Sequence, residues 1–440
     1  MRANRVVALD LLRGIAVLGM LFSGIVPWEG LPGWMYHCQE PPPSHEHNPL
    51  NFGITWVDLV FPVFLFCLGA AIPLALGPKL ERGIPKESLL WGAFSRYLKL
   101  AWFAVFTWQT RPWQLSSSPG LREWGIALIG LLCVLGMFAN LPKAWPSQVI
   151  RIVSLAASFA LFKLAGSAPN KLGDTDYIIL ILGMCSFVSA AVWIATQNSW
   201  KMRLLPWFFV LAVKVGHDYK VPLAETLWNF DPLPNIYGGN LLPYLLLVIP
   251  ATLVGDWLRT GNDGATHKLV AWVGLFSCLL VTAGLYSRMI LPTAVPCLLA
   301  TIYAYFALKN QGKIAKFGFA MIMLGLATDW VGGGIRKDPN TISYFFIGAG
   351  IASLLLYWLM TFSAPKTQPT KGILVCGENP LLAYALITHF AAGAWALTLG
   401  PILNNVLTGP YLGLVRAVIQ TAVFVAWVCL FRRVGIRLNA

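Results

Sequence analysis

What most constrains this chain is a repetition. Stretches of about 20 predominantly apolar residues recur along its whole length, separated by polar connectors. About 20 residues is what an α-helix needs to cross a hydrocarbon core. In lipid a spanning segment must satisfy all its backbone hydrogen bonds itself, and apolar runs of this length do so as helices. The expected fold is therefore all-α, a polytopic transmembrane helix bundle. The runs are 5–27, 54–77, 88–108, 121–140, 147–165, 176–196, 203–216, 240–258, 268–286, 289–308, 314–332, 341–363, 376–398 and 411–431. That makes about fourteen spans, in a range of roughly 12–14. Run 203–216 is the weakest, being short and carrying Lys214. Run 147–165 carries Arg151 and Lys163 near its ends, where long side chains reach the interface. No soluble domain and no internal repeat stands out, so residues 1–440 read as one integral membrane domain. No cleavable leader is expected, because the first apolar run is followed by more membrane.

Composition agrees. Of the 440 residues 57% are hydrophobic and 11% charged, against roughly 25% charged in soluble domains. Nineteen Trp and thirteen Tyr suit interfacial aromatic belts. The net charge of +14 does not indicate nucleic acid, because Lys and Arg fall in short clusters between apolar runs and form no continuous basic face. None of the eight cysteines is spaced as CxxC, and most lie inside apolar runs, which reads as small buried hydrophobes. Cys38 is the exception, in a loop.

Charge sets orientation, since Lys and Arg collect in cytoplasmic loops. With Arg2 and Arg5 inside, alternate loops place Lys79, Arg82, Lys86, Lys143, Lys201, Arg203, Arg259, Lys268, Lys309, Lys313, Lys316, Lys366, Lys371, Arg432, Arg433 and Arg437 on the same side. The opposite loops hold fewer: Arg111, Arg122, Lys171, Lys220, Arg288, Arg336 and Lys337. Both termini are then cytoplasmic, and membrane lipid surrounds the chain. The outer loops 28–53 and 217–239 are long and rich in Trp, Tyr and Pro. Long loops in compact proteins tend to be functional, and these read as an ordered cap over a cavity.

Ionisable groups within spans are functional candidates by default. Asp10 and Arg13, three residues apart on one helix face, can pair. A structural ion pair and a role in binding an anion weigh equally there. Asp58 lies in ITWVDLVFPVFLF, where it can cap a helix, pair with a cation or orient a histidine. Five of six histidines, His37, His45, His47, His217 and His389, fall in or near outer loops or outer span ends, and His267 on the inner side. A metal site from His45, Glu46 and His47 lacks helical spacing and is not expected. In VGGGIRKDPNTISYFF, glycines beside Arg336 and Lys337 suit an anion or a plain surface loop. In GENPLLAYALITHF, Asn379 before Pro380 reads as a helix N-cap.

Three segments, ALDLLRGIAVLGM, WMYHCQ and GITWVDLVFPVFLFCLGAAIP, resemble the transmembrane acetyltransferases related to heparan-alpha-glucosaminide N-acetyltransferase. The likeness is firmest over 5–77 and 330–392. It implies transfer of an acetyl group from cytosolic acetyl-CoA to an amino sugar or other glycan acceptor on the outer side of a bacterial inner membrane, with no metal, and possible assembly as a homodimer. By the same likeness a histidine before the DLVFP span handles the transfer. His37 fits that context, with His47 a rival because PPPSHEHNP intervenes, and Asp58 matches the family's aspartate. An asparagine expected upstream is replaced by Ser23 or Gly24. For the anionic nucleotide the first candidate is Arg13, followed by Asp10, Arg336, Lys337 and Asn379. The competing expectations are a secondary transporter of a small polar or anionic solute, and a non-catalytic envelope assembly protein.

Overall fold

The computed structural model describes residues 6–139, 146–165, 175–232, 237–261, 266–362 and 368–438. Arg2, Arg5, Lys143, Lys171 and Lys366 lie outside these. Regular secondary structure among the described residues is helical, apart from an isolated bridge between Ala139 and Leu438.

Fifteen long helices organise it. They are α1 (Val7–Ile25), α2 (Trp56–Glu81), α3 (Lys86–Gln109), α4 (Leu121–Phe138), α5 (Ser147–Leu164), α6 (Tyr177–Thr196), α7 (Leu204–Asp218) and α8 (Gly239–Thr260, its first turns a 3-10 helix). Then follow α9 (Lys268–Tyr286), α10 (Ile290–Leu308), α11 (Lys313–Val331), α12 (Ile342–Phe362), α13 (Gln368–Glu378), α14 (Pro380–Leu397) and α15 (Pro410–Arg433). A π-turn at Ile387–Ala391 interrupts α14.

Among the described residues, 11 helices are long and apolar enough to cross a membrane. The chain is a polytopic helical bundle. Every expected span has a helix, but three fall outside the 11, for physical reasons. Helix α7 has 15 residues, about 22 Å at 1.5 Å per residue, short of a hydrocarbon core of about 30 Å. Its Lys214 is buried and paired with Asp218. Helix α3 carries Arg96 and Lys99, and α11 carries Lys313, Lys316 and Asp329, so their apolar character is diluted.

Helices α2, α8 and α12 form the interior, with α1, α6 and α11 packed around them. Helices α5, α10 and α15 are peripheral, and side chains such as Phe306 and Leu291 on α10 are exposed as lipid-facing positions require. Helix α2 runs on through Pro62, Pro73 and Pro78. Helices α1 and α13 approach at backbone contact: a Cβ on Gly14 would collide with Ile373 O, and one on Gly377 with Asp10 O.

The first and last described segments meet at one face. Asp10 lies against Gly377, Arg432 of α15 pairs with Glu378, and Leu438 bonds Asn379. Lys79 at the end of α2 belongs to the same face, here called the Lys79 face. The opposite end of the bundle is the His37 face.

Candidate active site and adjoining cavity

The site begins with the start of α2. Asp58 is the third residue of that helix, and its Oδ2 accepts the backbone N–H of Thr55 at 3.0 Å. The same oxygen accepts the backbone N–H of Cys38 at 3.0 Å. Thr55 donates its hydroxyl to Tyr36 O at 2.7 Å, which ties the loop to the helix start. The carboxylate also sits at the positive end of α2. Oδ2 is thus occupied, and Oδ1 is left to face His37 Nδ1 at 2.6 Å. Asp58 is 2% exposed, and the His37 side chain is 32% exposed. Of the three alternatives from the sequence, capping and orienting a histidine are both met by this one carboxylate. Lys337 stands beside the pair, its Nζ 3.5 Å from His37 Nδ1.

Lys337 is brought there by a clamp between two distant segments. Gln39 donates its amide to Asp338 O and accepts the Asp338 N–H at 2.8 Å. Gly53 donates to Ile335 O at 2.7 Å. Gly53 has φ +134°, and a Cβ there would lie 2.8 Å from Cys38 Sγ, so both the turn and the packing require glycine. Arg288 pairs with buried Asp329 through contacts of 3.1 and 3.2 Å, while Asp329 Oδ1 accepts the Ile335 N–H. Arg288 and Arg336 both lie over the Phe52 ring. Burial and the Asp58 carboxylate push the Cys38 thiol up to about 11, with Arg288 opposing in part.

The chemistry follows from occupancy. An ionised Asp58 facing Nδ1 fixes the tautomer with the proton on Nδ1. Among the described residues no protein atom hydrogen-bonds Nε2, which is left as a base or nucleophile.

Below this face a cavity of about 690 Å³ runs between α1, α2, α3, α6 and α14, within the range of about 300–1,000 Å³ of ligand pockets. Its walls are apolar, with Arg13, Arg96 and Lys79 as cations and Glu378 at the Lys79 face. Arg13 donates to Asp10 at 3.2 Å and to Gly377 O at 3.1 Å. Arg96 has no hydrogen bond or ion pair among the described residues; it is enclosed by protein yet exposed to the cavity itself. Along α2 the lining runs from Phe64 to Lys79. Phe64 is six residues beyond Asp58, about 9 Å at 1.5 Å per residue.

The residues singled out from sequence therefore divide. His37, Asp58 and Lys337 come together, with Arg336 nearby donating to Pro49 O at 3.3 Å. Arg13 lines the cavity, with Asp10 paired to it, remote from them. His47 is exposed on the loop surface, away from the Asp58 carboxylate, whose Oδ1 faces His37. Asn379 occupies the N-cap position of α14 but makes no side-chain cap bond. Its amide instead holds the C-terminal segment, at Ile436 O and the Leu438 N–H. Ser23 bonds its own helix at Met20 O. His45 meets Trp28 and Tyr36 edge-on, His217 stacks on Trp228, and His267 caps α9. Among the described residues no group of three or more His, Cys, Asp or Glu converges as metal ligands. Sequence reasoning missed Arg96, Gln39, Tyr384 and Asp176. Arg96 carried a signal as a charge in the middle of run 88–108, and Asp176 as a carboxylate at the start of run 176–196.

Two comparisons bear on this arrangement. The sequence profile described as "Domain of unknown function (DUF5009)" matches residues 5–258. Over 88 residues the chain is 36% identical to heparan-alpha-glucosaminide N-acetyltransferase of Mus musculus. That stretch is 20% of this chain and 11% of the mouse protein's length.

Proposed function

We propose that this chain, which belongs to the DUF5009 family, is a membrane acetyltransferase that takes its acyl group from acetyl-CoA and delivers it to a primary amine of a glycan at the His37 face. The observation that carries the reading is the pairing of His37 with Asp58 above a cavity lined by Arg13, Arg96 and Lys79. The partial similarity to an N-acetyltransferase supports the same chemistry.

The cavity fits a long donor with an anionic end. Phosphates fit beside Arg13, Arg96 and Lys79, and the flexible pantetheine arm extends along Phe64 and Leu68. Under this reading the Lys79 face, with its Lys and Arg, is cytosolic, both termini lie there, and acetyl-CoA enters from that side. His37 Nε2 removes a proton from the acceptor amine, or takes the acetyl group first and passes it on. Asp58 holds the imidazole in the tautomer that leaves Nε2 free and stabilises the imidazolium once formed. The amine–carbonyl bond forms, the C–S bond breaks, and the proton returns to the CoA thiolate.

The test is purified protein in detergent with radiolabelled acetyl-CoA and a panel of amino sugars. Transfer by the wild type, abolished in His37→Ala and in Asp58→Asn, is the expected result. Asp58→Asn isolates the tautomer, since an amide oxygen can still accept from Thr55 and Cys38. Absence of both CoA binding and transfer in the wild type overturns the reading.

A further inference from the structure

A charged cluster closes the end of the cavity nearer the His37 face, and the transfer scheme above leaves it without a role. Asp176 caps α6, its Oδ1 accepting the Ile179 N–H at 3.3 Å. Its Oδ2 accepts the Tyr384 hydroxyl at 2.6 Å and pairs with Arg111. Arg111 Nη2 lies 3.5 Å from the Tyr384 hydroxyl, and its guanidinium packs over the Trp108 ring. Asp176 is 2% exposed. Arg111 Nε is buried with no acceptor, a donor that a folded protein rarely leaves unused.

Tyr384 joins this cluster to the cavity, since its side chain is part of the lining along with Ile178 and Ile179 of α6. The cavity is therefore chemically polar at both ends in different ways. Near α13 it presents unneutralised positive charge from Arg96, with Lys79. At Tyr384 the charges of Arg111 and Asp176 cancel, and the phenol is a neutral donor whose proton rests on Asp176 until another acceptor displaces it. Net positive charge suits phosphate, whereas a neutral donor suits a carbonyl oxygen. A donor molecule with phosphates at one end and a thioester at the other fits in one direction only, with the thioester at Tyr384, towards Asp58.

We propose that Tyr384, aimed by Asp176 and Arg111, donates a hydrogen bond to the thioester carbonyl oxygen of the acyl donor and stabilises the negative charge that develops there during attack. The inference rests on the acetyltransferase reading. The Tyr384 hydroxyl exchanges Asp176 for the thioester oxygen, and Asp176 keeps Arg111 as its partner. No covalent bond changes at Tyr384.

Two measurements on the full-length protein in detergent test it. The first compares Tyr384→Phe with wild type for transfer and for CoA binding. Loss of one such donor lowers kcat by about a hundredfold or more, while affinity for CoA lacking an acyl group stays unchanged. The second is infrared spectroscopy of bound acetyl-CoA isotopically labelled at the thioester carbonyl. The carbonyl stretch moves to lower frequency in wild type, and that shift vanishes in Tyr384→Phe. Asp176→Asn, which leaves the phenol in place but unaimed, gives a smaller fall in kcat and a partial loss of the shift. Wild-type kcat in Tyr384→Phe, or an unchanged carbonyl stretch, overturns the inference while leaving the acetyltransferase reading intact. Wild type that binds no CoA removes both.

Discussion

His37 and His389 occupy opposite situations. His37 sits in a loop, partly exposed, with Nδ1 held by a carboxylate and Nε2 open. His389 sits in the π-turn of α14, 3% exposed. Both its nitrogens meet threonine hydroxyls, Thr110 at 3.0 Å and Thr388 at 2.8 Å. The difference is one of unspent capacity. A ring nitrogen already bonded inside the bundle serves packing, and reaction needs one nitrogen fixed and the other free. A π-turn often marks a functional position, yet here the local distortion places a histidine whose bonding is complete.

The sharpest way to break this comparison is to remove each imidazole in turn. His37→Ala is expected to lower acetyl transfer by about a hundredfold to ten-thousandfold with little change in thermal unfolding, because the side chain is partly exposed. His389→Ala is expected to do the reverse. It removes a buried, hydrogen-bonded ring from the bundle, at a cost of about 1–3 kcal/mol, and lowers the unfolding midpoint while the remaining folded protein keeps its kcat. If transfer falls equally in both, the distinction between them is wrong.

A smaller effect concerns the residue next to His37. With its thiol raised to about 11 by burial and Asp58, Cys38 is protonated across neutral pH. Alkylation at Cys38 in folded protein is expected to stay slow between about pH 7 and pH 10 and then rise, whereas unfolded protein labels from about pH 8. Fast labelling at pH 7 would contradict the packing of Cys38 against Asp58. The smallest effect is expected for His47→Ala. That side chain is exposed, and transfer and stability should both match wild type. A loss of transfer there would move the reaction to the other loop histidine.

Much of the bundle was readable in the residues. Each apolar run became a helix, since length and hydropathy are properties of contiguous segments. The start of α2 was also readable: Thr55 and Asp58 stand three apart, and the carboxylate reaches back to the Thr55 N–H. The partners of Asp58 beyond its own helix were not. His37 is 21 positions away, and Lys337 reaches His37 across 300 positions. Nor could spacing reveal that the Asn379 amide would leave its cap position for the Leu438 backbone.

The sequence by itself determined that this is a helical membrane bundle, because about 20 apolar residues in lipid have helix as their simple solution. It also named a short set of ionisable candidates, because charge in an apolar run is costly. Only the tertiary structure decided which of them meet. It set His37 rather than His47 against Asp58, placed Lys337 beside them, and left Arg13 and Arg96 to face a cavity. Those outcomes depend on which segments pack together and on which atoms remain unbonded once they do, and neither is a local property of the chain.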